Sequence, residues 1–355
     1  MMTAATAPRA EGTRPGRNAS DPRHFRWRDW RDIGWRVVAD VGGDHLSVIA
    51  AGIAFFAMLA LFPAMAALIS LYGFFANTAD VAAHLSYLQP FLPPAAYDIV
   101  ALQMEALVTS SSSSLQIASI IALGIAFWST RAAVAAMIDG LNFVYGERET
   151  RGFLRLVLLS LALTLLMLVI ASLAILAIVA VPTVLRFVDL GPLGGWIAAV
   201  IPWPILTGAV VAGLSLIYRY GPDRATARKR WVTPGAVTAT VLWMVASLAF
   251  SVYVASFADY NKTYGSLGAI VILLLWFYLG AFAILLGAEV NAEMELHTRR
   301  DTTTGPERPI GSRGAYVADN VAWDRRRPVP AASAPASEST GAPPEQPAAA
   351  RDRDA

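Results

Sequence analysis

Read for polarity alone, the chain alternates long apolar runs with short charged ones. Residues 46–75, 156–182, 196–218, 234–257 and 266–288 contain no Asp, Glu, Lys or Arg. Each is long enough for the roughly 20 helical residues that cross about 30 Å of hydrocarbon. A sixth run, 115–130, stops at Arg131 and reaches spanning length only if the helix continues through that arginine, to about residue 138. The pattern predicts an all-α, polytopic membrane protein: a bundle of six transmembrane helices over 46–75, 115–138, 156–182, 196–218, 234–257 and 266–288.

Two flanking stretches are amphipathic rather than apolar throughout. In 23–45, Trp27, Trp30 and Trp35 interleave with Arg26, Arg28, Arg31 and Arg36. Indole bodies with cationic heads suit a headgroup layer, so an interfacial helix is expected there. Between the first two spans, 76–114 places Ile99, Leu102 and Ala106 at helical spacing after Pro93 and Pro94. This reads as an amphipathic helical segment on the outer side. Residues 1–22 and 297–355 are rich in Ala, Pro, Gly, Arg and Thr without apolar period, and disordered tails are expected. The first span follows 45 residues and lacks a small-x-small end, so it is expected to stay in the mature protein.

Composition sharpens this reading. Of 355 residues 56% are hydrophobic and 15% charged, against about 25% charged in soluble domains. Cysteine is absent, which excludes disulfides, thiolate nucleophiles and Cys-ligated metals. Cations fall in alternate loops. Eight arginines precede the first span, Arg148, Arg151 and Arg155 follow the second, five cations from Arg219 to Arg230 follow the fourth, and the C-terminal segment is again basic. The intervening loops hold none, Arg186 and Lys262. By the positive-inside rule both termini are expected in the cytoplasm of a bacterial inner membrane.

Five stretches carry a resemblance to a known family: "AAGIAFFAMLALFPAMAALISLYG", "FWSTRAAVAAMIDGLNFVYGERETR", "YRYGPDR", "PGAVTATVLWMVASLAFSVYV" and "YGSLGAIVILLLWFYLGAFAILLGAEVNAEME". In this order they resemble the YihY/BrkB family of bacterial inner-membrane proteins, some members of which carry a ribonuclease BN label. The resemblance covers roughly 25–296 and implies a six-helix envelope protein, with transport or lipid movement as its expected activity.

Candidate chemistry centres on Arg131. Counting 1.5 Å per residue from Leu115 puts it close to the inner interface, where it can snorkel beside Trp128 or meet a partner. Glu289 lies at a similar depth in the last span, with Glu293 one turn below. A polar cluster or gate of Arg131, Asp139, Asn142, Glu289 and Glu293 is expected, either as a structural ion pair or as a site offering the Arg131 fork to phosphate or carboxylate. Pro63, Pro202 and Pro204 are expected helix breaks, which in inverted-repeat transporters mark midplane sites. Small pairs Ala50/Ala54, Gly208/Ala212 and Ala283/Gly287 mark close helix crossings.

No catalytic residue, metal or cofactor is expected. His24, His45, His84 and His297 are scattered, and no HxxxH, DxD, HxH, P-loop or dinucleotide motif occurs. The expected partners are membrane lipids and a lipid or anionic solute to be moved, not nucleic acid. The rival reading is an envelope scaffold that transports nothing; a membrane-bound ribonuclease ranks below both.

Overall fold

A computed structural model describes residues 15–43, 45–73, 115–185, 200–256 and 266–322, with the single positions 97 and 197. All belong to the unit that ends at Ala322. The outer-side segment 76–114, apart from Tyr97, and the expected tails 1–14 and 323–355 lie outside the described residues.

The apolar runs are helices. In chain order these are α1 (Trp27–Gly43), α2 (Leu46–Gly73), α3 (Leu115–Val144), α4 (Phe153–Leu185), α5 (Pro202–Tyr220), α6 (Lys229–Ser256), α7 (Ser266–Leu296) and α8 (Tyr316–Asp319). Two 3-10 turns, Pro15–Asn18 and Pro22–His24, precede them. Among the described residues there is no strand, only an isolated antiparallel bridge between Ala227 and Thr303. Among the described residues three helical stretches are long and apolar enough to cross a membrane, Phe153–Ile178, Lys229–Val254 and Ile270–Leu296. A fourth arises if α1 and α2, bent by 69° at their junction, count as one. The bend falls at His45, whose φ of 51° lies in the left-handed region that few non-glycine residues visit.

The helices close into a ring. α2 packs along α3, α3 on α4, α4 on α5, α5 on α6, α6 on α7, and α7 returns to α2 while also touching α1 and α3. The core runs from Leu46, Ala50 and Ile53 through Met137, Leu141 and Tyr218 to Ala236, Leu285 and Ala288. Outside the ring, α4 presents Leu154, Leu158, Leu165, Val169, Leu173 and Leu176, and α6 presents Val237, Val241, Val245, Leu248 and Val252. Exposed apolar stripes at three- and four-residue spacing are lipid-facing surfaces. α1 splits the same way: Trp27 and Trp35 are 81% and 70% exposed, while Ile33 and Val37 pack with Trp231 and Met294.

α6 and α7 cross at glycine. A Cβ on Gly287 would sit 2.5 Å from the Gly235 carbonyl oxygen and 2.7 Å from both the Ala239 Cβ and the Tyr218 hydroxyl. Ala50, Ala54 and Ala283 are likewise buried, as close crossings require. Gly208, by contrast, has nothing within 4 Å of its would-be Cβ among the described residues, so it marks no crossing there.

Pro202 and Pro204 stand in the first turn of α5, just after a turn at Ile201 whose N–H donates to the Ile197 carbonyl at 3.0 Å. α2 stays helical through Pro63. Pro234 also lies inside a helix, α6, and its surroundings are repaired from α7. The fully buried Asn291 accepts a hydrogen bond from the Gly235 N–H (2.7 Å) and donates to the Val232 carbonyl (3.1 Å). Asn291→Leu would strand both groups and is expected to cost about 2–4 kcal/mol, read from thermal unfolding of the purified protein in detergent.

The folded region also runs past the expected start of each tail. Residues 297–322 are not a disordered tail, and Ala19 is buried with its carbonyl accepting from the Thr298 hydroxyl. Arg313 explains the order: it donates to the carbonyls of Arg299, Arg300, Arg308 and Ala318. Asp301 and Asp319 accept from the loop's N–H groups. Side chains here do what helical hydrogen bonds do elsewhere.

Candidate functional site

Loops 145–152, 221–228 and 297–315 meet at one end of the ring, which is therefore its basic end. α7 organises it. Glu289, Glu293 and His297 recur every four residues on one face, Asn291 and Glu295 on the other. All five are buried.

The first face meets α1. Arg36 pairs with Glu293 and donates to His297 Nδ1 (3.0 Å). An arginine has no acceptor, so Nδ1 must carry the lone pair and the ring proton sits on Nε2, donating to Asp29 Oδ1 at 3.2 Å. Burial holds the imidazole below its usual pKa; Asp29 pulls it up, and Arg36 reinforces the depression. A depressed histidine stabilises the fold fully above its ordinary value of 6.5 and loses that contribution as pH falls below it. The melting temperature should therefore drop between pH 7.5 and 5.5, and His297→Gln should flatten that profile.

Beside this chain, carboxylate oxygens of Asp40, Glu289 and Glu293 all lie within 4.8 Å of one another. Among the described residues this is the group whose spacing could hold a hard divalent cation. No sequence motif marks it, because Asp40 comes from α1 and the two glutamates from α7. Arg36 offsets part of its charge.

The second face meets the two basic loops. Arg224 pairs with Glu295 at 2.7 Å, both nearly inaccessible, and lies over the Tyr145 ring at 4.7 Å. The Thr302 hydroxyl donates to the same glutamate at 2.5 Å. Around it, Asn142 donates to Glu149 (2.9 Å) and accepts from the Asp223 N–H (2.7 Å). Arg151 grips both oxygens of Glu149 at 2.6 Å and the Gly221 carbonyl at 2.9 Å. Thr150 donates twice to Asp223. The Arg151 hydrogen bonds hold the Glu149 carboxyl below its ordinary value against the opposing effect of burial.

Between the start of α4 and the end of α5 these loops leave a cavity of about 280 Å³, lined by Arg151, Arg155, Arg219 and Arg224 with Asp223 as its acid. It opens at the edge of the apolar stripe on α4.

The sequence-derived cluster is thus divided. Glu289 and Glu293 are together, joined by Asp40. Asn142 belongs to the Glu149–Arg151–Asp223 group, and the exposed Asp139 feels the charges of Glu149 and Arg151. Arg131 reaches neither group through an ion pair among the described residues. Its guanidinium lies 4.8 Å from the Trp128 ring centroid, and its buried Nε has no hydrogen-bond partner. Depth explains the difference. α3 is 30 residues long and continues six residues beyond the expected end, so Arg131 stands near its middle, about 16 Å from Asn142. Arg36, Asp40, Arg151, Arg219, Arg224 and Glu295 were not singled out from sequence as site residues. The i, i+4 pattern of 289/293/297 and 291/295 was the available signal.

A ring of apolar helices with lipid-facing stripes and a charged, loop-built end is an integral membrane protein. The model of the Virulence factor BrkB family matches residues 37–310, and the chain belongs to that family. It is 33% identical over 255 residues to the ribonuclease-like protein YfkH of Bacillus subtilis (strain 168), covering 70% of this chain and 90% of that one. It is 38% identical over 102 residues to a UPF0761 membrane protein of Xanthomonas campestris pv. campestris (strain B100), covering 28% of this chain and 24% of that protein. A protein of that description from Xanthomonas oryzae pv. oryzae (strain PXO99A) matches to the same extent. No solved structure matches.

Proposed function

We propose that this chain is a six-span protein of the bacterial inner membrane, basic end in the cytosol, that translocates a lipid or a small anionic solute. The observation that carries the reading is the arginine-lined cavity at the rim of a closed helical ring, where the apolar outer surface gives way to charged loops. An anion entering there meets guanidinium forks beside the hydrocarbon. Arg131 supplies a second cationic station near the middle of α3, desolvated and stacked on Trp128, as intramembrane arginines on substrate paths are.

Vesicles reconstituted with purified protein test it. Movement of anionic lipid or solute should exceed that of protein-free vesicles, and Arg131→Ala should reduce it at least tenfold while the protein still inserts and folds. Protein-independent flux in wild type would refute translocation.

The scaffold reading draws on a different observation, the buried ion-pair networks that lock the basic end; it expects no flux at all. The ribonuclease-like name of the Bacillus relative is not carried over as an activity, and the buried carboxylates are read as structural. Glu289→Gln should accordingly leave RNA untouched by the purified protein with Mg²⁺, as in wild type.

A further inference from the structure

We infer that the cavity between α4 and α5 is a binding site for a phosphate group, with Arg155 and Arg219 as its ligands and Arg151 and Arg224 as its fixed walls. The inference deepens the translocator reading and rests on it for the membrane face on which the cavity lies.

The four arginines are not equivalent. Arg151 is spent on Glu149 and Gly221, and Arg224 is fixed by Glu295 through one nitrogen, its buried Nη1 lacking a hydrogen-bond partner. The acid of the lining, Asp223, accepts from the Thr150 N–H (2.7 Å) and hydroxyl (2.6 Å) and lies 3.6 Å from Arg151. Both of its oxygens thus already face donors other than Arg155 and Arg219. Arg155, on the first turn of α4, is exposed and forms no ion pair among the described residues. Arg219, in the last turn of α5, lies 5.4 Å from the Tyr220 ring centroid and keeps a buried Nε without a hydrogen-bond partner. A desolvated guanidinium donor lacking an acceptor is costly, and an anion supplies what is missing.

The chemistry of that anion follows from the donors. Two free planar forks converging on one cavity suit a tetrahedral oxyanion that accepts bidentate bonds. The cavity lies where the exposed leucine stripe of α4 starts at Leu154 and Leu158, and the border of an apolar outer surface is where lipid phosphates would meet it. Basic pockets between helices on the cytoplasmic side are where phosphate headgroups dock. Free phosphate offers the same oxygens, so source must be separated by experiment.

The test is binding, not transport. Full-length protein in neutral detergent is mixed with phosphatidylglycerol, with phosphatidylcholine, or with inorganic phosphate, and retained ligand is read by native mass spectrometry and calorimetry. Wild type should retain phosphatidylglycerol or inorganic phosphate in preference to phosphatidylcholine. The Arg155→Gln/Arg219→Gln pair should bind about 30-fold more weakly. The control pair Lys229→Gln/Arg230→Gln removes the same charge from the first turn of α6, outside the cavity, and should bind as wild type does. Preference for the lipid assigns a headgroup site; binding of inorganic phosphate alone assigns a soluble ligand at the same residues. Equal loss in both pairs, or no preference over phosphatidylcholine together with no phosphate binding, overturns the inference. Because no flux is measured, a failed transport assay leaves it standing, and a failed binding assay sinks it even where flux occurs.

Discussion

Gly287→Leu is expected to abolish recovery of folded protein, and Gly287→Ala alone to destabilise it by about 3 kcal/mol or more. The reason is what the added carbon meets. At Gly287 the obstacles are the Gly235 carbonyl and the Ala239 Cβ on the facing helix and the Tyr218 hydroxyl, which is itself held by a 2.7 Å hydrogen bond to the Ile284 carbonyl. None is the far end of a flexible side chain, so the helices must separate. Separation would also pull Asn291 off the Gly235 and Val232 backbone groups, uncoupling the repair beside Pro234. The same substitution at Gly208, which has open space, should instead be neutral or stabilising by up to about 1 kcal/mol, because alanine is the better helix former. Opposite signs for one chemical change would be read from melting temperatures in a common detergent. Equal effects would mean the crossing is looser than described.

The second large effect concerns the buried pair. Arg224→Met or Glu295→Leu alone should cost about 3–5 kcal/mol, since each leaves an uncompensated charge inside protein. Together they should cost far less than the sum, because the desolvation of both ions disappears with their attraction. A double-mutant cycle should give a coupling of about 2 kcal/mol or more. Additive losses would show that solvent reaches the pair. The single changes should also disturb Tyr145 and Thr302, visible as altered tyrosine fluorescence.

Those two sites show how far sequence could go. The apolar runs located the helices because hydrocarbon must be their solvent, and α2 and α7 begin where their runs begin. The far ends were misjudged for a physical reason: absence of charge marks the apolar layer, not the helix. α3 and α7 continue six and eight residues past their expected limits, carrying Asn142, Glu289, Glu293 and Glu295 into buried pairs. That overshoot is also why Arg131 was placed too near an end and matched with Glu289. The partners that matter, Arg36 for Glu293 and Arg224 for Glu295, come from elements distant in sequence, and no local spacing encodes them. The folded stretch 297–322 was invisible for another reason. It is held by Arg313, Asp301 and Asp319 bonding to backbone, which leaves no hydrophobic period to read.

Everything proposed for the arginine cavity depends on which side of the membrane it faces, and the absence of cysteine makes that directly measurable. Single cysteines at Arg148, on the basic end, and at Ser112, in the sequence between α2 and α3, can be labelled in intact cells with a membrane-impermeant maleimide. Arg148→Cys should react only after the cells are permeabilised, and Ser112→Cys should react before. Labelling of Arg148→Cys in intact cells would contradict the account.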